Sequence, residues 1–128
     1  MNERNLDLLC ARYGFEIAER VHSKLMKQAE NHITKSLGVL QENGVYAFFL
    51  YQASRKQGQE KAAADELNEQ AVALLSDVKV KGFEGNPGEP LEAVRGPLAD
   101  NLDDLLLAKR VLEQALIYAR YHAKAMES

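Results

Sequence analysis

Apolar residues in the first quarter of this chain return at helical spacing. Between about Asn5 and Asn31, Leu6, Leu9, Tyr13, Ile17, Val21 and Leu25 recur every three or four positions, with Cys10, Ala18 and Ala29 beside them. That is the stripe of an amphipathic helix. Glu16 and Arg20 form a favourable i,i+4 pair on its outer side. Gly14 falls inside the helix at a cost of about 1 kcal/mol relative to Ala, so a close crossing by another helix is expected there. A second helix is predicted over Ile33–Glu42, stopped by Asn43-Gly44. The third, over Val45–Lys56, opens with Val45, Tyr46, Ala47, Phe48, Phe49, Leu50 and Tyr51 and no charge among them. A helix apolar all round implies cover on every side.

A fourth helix is predicted over Gln59–Val78, with Ala64, Leu67, Ala71, Leu74, Leu75 and Val78 on one stripe. Lys79–Pro97 interrupts the pattern: it holds all three prolines and Gly82, Gly85, Gly88 and Gly96. It reads as a loop with one short turn at Leu91–Arg95. The last helix is predicted over Asn101–Met126, capped by Asp100 or Asn101, with Asp103 and Asp104 in the first turn where the helix dipole favours them. It carries two apolar stripes. The second, with Leu107, Val111, Tyr118 and Tyr121, is the candidate subunit interface; a central helix buried on both sides would account for it equally. No segment alternates at strand length. The prediction is an all-α fold, one compact bundle of five to six helices forming a single domain over residues 1–128.

Composition narrows the picture. The single cysteine, Cys10, rules out an internal disulfide and suggests a reducing intracellular compartment. No basic segment followed by an apolar run opens the chain, so no signal peptide is expected. The longest uncharged apolar run falls well short of the roughly 20 residues of a membrane span, so a cytoplasmic protein without membrane partners is expected. The net charge is −3, but it is unevenly spread. Residues 1–56 carry 8 basic and 6 acidic groups, residues 57–104 carry 4 and 11, and residues 105–128 carry 4 and 2. If the two ends pack together, they present a basic face on an acidic protein.

No catalytic constellation is visible. His22, His32 and His122 lack metal-ligand spacing with one another or with Cys10, and surface or half-buried positions are expected for them. Cys10 falls on the inner side of its helix, as a packed thiol does. Asp103 and Asp104 diverge by about 100° on a helix, which suits capping better than a carboxylate pair. The glycines of 82–88 do not open a phosphate-binding helix. The expectation is a protein that is not an enzyme and needs no metal or cofactor. What remains is basic side chains: Arg12, Arg20, Lys24 and Lys27 on the first helix, Lys56 after the third, and Lys109, Arg120 and Lys124 on the last. Rows of Lys and Arg suit a phosphate backbone without regard to base sequence.

Three stretches carry a family resemblance: Leu40-Gln41-Glu42-Asn43-Gly44-Val45 running into Ala47-Phe48-Phe49-Leu50 and on to Arg55-Lys56; Arg12-Tyr13-Gly14-Phe15 followed by Arg20-Val21; and Gln114-Ala115-Leu116-Ile117-Tyr118-Ala119-Arg120-Tyr121. In order and spacing they resemble the small all-helical subunit of type III-B CRISPR effector complexes, the Cmr complexes. The chain departs from that pattern at its end, where His122-Ala123-Lys124-Ala125-Met126 stands in place of consecutive basic residues and an aromatic. The resemblance implies a non-catalytic subunit of antiviral defence. It would stack into a short helical filament beside the other subunits and help hold guide and target RNA, with self-association and no membrane contact. The equivalent small subunit of type III-A complexes, or a helical adaptor or homodimer with no nucleic-acid role, fits the same residues.

Overall fold

In the computed structural model, which describes residues 3–127 with side chains from Asn5 onward, the first helix, α1, spans Glu3–Leu25. It is shorter than its apolar repeat suggests. Met26 takes a positive φ of 52°, a conformation no α-helix propagates, and Met26–Gln28 forms a single 3-10 turn. The next helix, α2, therefore starts early, at Ala29, and runs to Asn43. The turn swings Ala29 and Ile33 into the core, where both are fully buried.

Gly44 ends α2 with φ 94° and ψ −174°, a region essentially reserved for glycine. α3 follows at once, over Val45–Ala53. It is not covered on every side as its composition implies. Val45, Phe48, Phe49 and Gln52 face inward, while Leu50 is 50% exposed. α4 spans Gly58–Asp77 and buries Ala63, Ala64, Leu67, Ala71, Leu74 and Leu75.

The Gly/Pro-rich segment after α4 is tied down rather than free. Val80 and Phe83 are fully buried, and the Phe83 ring stacks on Phe49 at 5.8 Å. A single-turn helix, α5 (Pro90–Ala93), leads into a π turn over Val94–Leu98 that buries Leu98. α6 spans Leu102–Met126. Asn101 Oδ1 accepts from the Asp104 amide at 3.0 Å, and Asp104 Oδ2 accepts from the Lys81 amide at 2.8 Å. The cap of α6 is thus joined to the preceding loop.

α1 and α6 form the central pair. Cys10 Sγ donates to the Val111 carbonyl at 3.6 Å, the Phe15 and His122 rings meet edge-on at 5.5 Å, and His22 Nε2 lies 3.0 Å from Glu127 Oε2. Pairings that advance together along both helices mean that the two run parallel. Gly14 sits where they approach closest: a Cβ there would lie 2.6 Å from Tyr118 Cβ and 2.8 Å from the Ala115 carbonyl oxygen. The expected crossing at Gly14 is present, and no larger residue fits it unchanged. α4 flanks α1 in the opposite sense, with Tyr13 bonded to Asp77 at 2.6 Å and Arg20 to Glu66 at 3.1 Å. Among the described residues there is no strand, and the buried side chains of all these elements join in one core.

Candidate interaction surface

The basic residues singled out from the sequence divide into two groups. Arg20 is neutralised: its guanidinium reaches Glu66 at 3.1 Å, Glu16 at 3.5 Å and Glu69 at 3.6 Å. Those carboxylates raise its pKa, led by the hydrogen bond to Glu66. The row expected along the first helix is also broken in space, because Lys27 lies on the 3-10 turn beyond Leu25 and off the α1 register. Lys24 stays on α1, half-buried. Lys109 Nζ lies 3.4 Å from the Gln41 carbonyl in the last turn of α2 and 4.0 Å from Glu113, so it caps a helix end. Arg12, Lys27, Lys56 and Lys124 are exposed and, among the described residues, form no ion pair. Arg120 lies over the Tyr121 ring at 5.1 Å, and that ring is 59% exposed.

Of the four positions expected at a subunit interface on the last helix, the fold encloses one, Val111. Val111 is 1% exposed and packs inside the chain's own core. Tyr118 lies against Gly14, and its hydroxyl donates to Asp7 Oδ1 at 2.7 Å, which pushes the phenol pKa up. Leu107 is half-buried against the core. Val111 and Tyr118 meet α1, Leu107 and Tyr118 stay half-buried, and Tyr121 is exposed.

The groups able to do chemistry are engaged in structure. Cys10 is buried, and burial followed by the nearby Asp7 carboxylate pushes its thiol up to about 11. His32 is fully enclosed, against the expectation of a surface or half-buried ring. Gln52 Nε2 donates to Ser36 Oγ at 2.8 Å, and Ser36 Oγ donates to the His32 carbonyl at 2.9 Å. That leaves Gln52 Oε1 to accept from His32 Nε2 at 3.1 Å. Burial holds the His32 pKa below the ordinary histidine value. Among the described residues no group of three or more His, Cys, Asp or Glu side chains is placed to hold a metal ion, and no helix is long and apolar enough to cross a membrane.

One apolar concavity was not foreseen. A groove of about 550 Å³ runs between Gly44–Tyr46 at the start of α3, the π turn at Val94 and Arg95, and Leu105, Leu106 and Lys109 on α6. Arg95 Nη1 donates to Tyr46 Oη at 2.9 Å. Leu106 is 58% exposed and Leu102, one turn before it, 66%. The only trace of it in the sequence is that pair of leucines, four apart on the otherwise polar side of the last helix. Compared with known proteins, the chain matches no protein-family model, no curated protein and no solved structure.

Proposed function

We propose that the chain is a non-catalytic, RNA-associated structural subunit of a type III-B CRISPR effector complex, acting in the cytoplasm in antiviral defence. The three sequence stretches that resemble the Cmr small subunit support this reading. The observation that carries it is the distribution of unpaired cations. The acidic middle of the chain neutralises Arg20, Arg55 and Lys61 through Glu66, Glu60 and Asp65, yet Arg12, Lys27, Lys56 and Lys124 keep their charge for solvent. Arg120 laid over an exposed tyrosine adds a stacking platform of the kind single-stranded bases use. Rows of Lys and Arg alone would be ordinary surface; cations left over beside so much acid, with an aromatic among them, are better matched to a phosphate chain.

The test is equilibrium binding of a labelled single-stranded RNA by the whole protein across a salt series. An Arg12/Arg120/Lys124 triple-alanine variant and Arg20→Ala are measured alongside. The expected result is salt-sensitive binding whose log–log slope shrinks by about 2 in the triple variant, near 0.7 for each phosphate no longer neutralised, and is unchanged in Arg20→Ala. Salt-insensitive binding, or a triple variant that binds like the parent, overturns the RNA role.

A further inference from the structure

We infer that the groove between α3, the π turn and α6 docks an amphipathic α-helix of a partner protein, with leucine-like side chains on one face and Asp or Glu beside them. Charge specifies the flanks. Arg95 on one wall and Lys109 on the other are the only ionisable chains besides Tyr46 that line the groove, and no carboxylate does. Arg95 is fixed by Tyr46 Oη, with its guanidinium carbon 5.9 Å from that ring. It forms no direct ion pair with the described residues, although Glu92 and Glu89 are near enough to favour its charge, so that charge is held in place at the groove wall. Shape specifies a peptide. Leu106 lines the groove with more than half its surface in solvent, and Leu102 carries the apolar strip one turn past the groove's end. A small ligand is ordinarily enclosed over most of its surface; this trough instead suits a rod that leaves at its end. Backbone chemistry specifies a helix. The described residues offer no strand edge, so a docked segment must satisfy its own amides and carbonyls, as a helix in a groove does.

The probe is a synthetic helical peptide with leucines at i, i+3, i+4 and i+7 flanked by glutamates, beside a twin with lysines in place of the glutamates. Binding is read by amide NMR shifts on the whole protein. The expected shifts centre on Tyr46, Arg95, Leu106 and Lys109. The lysine twin is expected to bind about tenfold more weakly, and Leu106→Asp to weaken the glutamate peptide about tenfold or more. Both Leu106 and Arg95 are exposed, so the variants should fold. The charge-reversal variant Arg95→Glu, which leaves the contact of Lys109 with the α2 end in place, should remove the preference for the glutamate peptide. Shifts elsewhere, equal affinity for the twins, or sedimentation showing a second copy of the chain on this face would overturn the assignment. None of Arg12, Arg120 and Lys124 lines the groove, so its failure and that of the RNA role are separately visible.

Discussion

His32 is the residue whose chemistry most directly links this fold to pH. It is enclosed by Ser36, Gln52 and the Tyr51 ring, 6.1 Å away, with Arg55 and Lys35 opposing its protonation and Glu60 favouring it. Its folded pKa lies below the unfolded value of about 6.5, so the unfolded chain binds the proton more readily. The stability it contributes is therefore complete above that value and declines as the pH falls beneath it. Urea midpoints measured at about pH 7.5 and about pH 5 should show this loss, and His32→Gln should make the decline smaller. A variant whose stability falls as steeply as the parent's would place the acid sensitivity elsewhere. Cys10 shows the same enclosure without consequence for pH near neutrality, because burial moves its thiol to about 11, farther from the working range.

Two glycines show why the helices pack as they do, and for opposite reasons. Gly14 lies in ordinary helix, and the obstacle to a side chain is the neighbouring helix 2.6 Å away. Gly44 has nothing within 4 Å of a Cβ, and the obstacle is its own backbone at φ 94°. Gly14→Ala should cost about 1–3 kcal/mol of overpacking, partly offset by about 1 kcal/mol of helix propensity. Gly44→Ala should cost about 1–3 kcal/mol of strain with no such offset. Denaturant titration gives both values. Both glycines were legible, because a glycine inside a helical stripe and an Asn-Gly after one are local signals. The break at Met26 was not: no glycine or proline marks it, and its positive φ accompanies the burial of Ala29 and Ile33. The outward side of α3 was hidden for a related reason, since composition reports how apolar a helix is and not how many neighbours it has. The groove was least legible of all, because residues 44–46, 94–95 and 105–109 meet only in the folded chain.

At the scale of the whole molecule, charge is sorted by position. The acidic α4 is laid against α1 and consumes Arg20, while Arg12, Lys27, Lys56 and Lys124 form no ion pair among the described residues. None of the cations proposed to meet RNA in the binding test, Arg12, Arg120 and Lys124, lines the groove, so the two proposed roles draw on different residues. The parallel pairing of α1 with α6 also sets an order of events during synthesis. Cys10 meets Val111 across 101 residues of sequence, and at ordinary translation speed that partner emerges on the order of ten seconds later. Until then Cys10, Gly14 and Phe15 lack the cover that α6 supplies. Long-range closure of this kind slows folding. A fragment ending at Asn101 should accordingly lack cooperative unfolding by circular dichroism, and adding α6 as a separate peptide should restore it. The last helix made is then the one that commits the first, and a nascent chain stalled before it would present a greasy α1 face to chaperones.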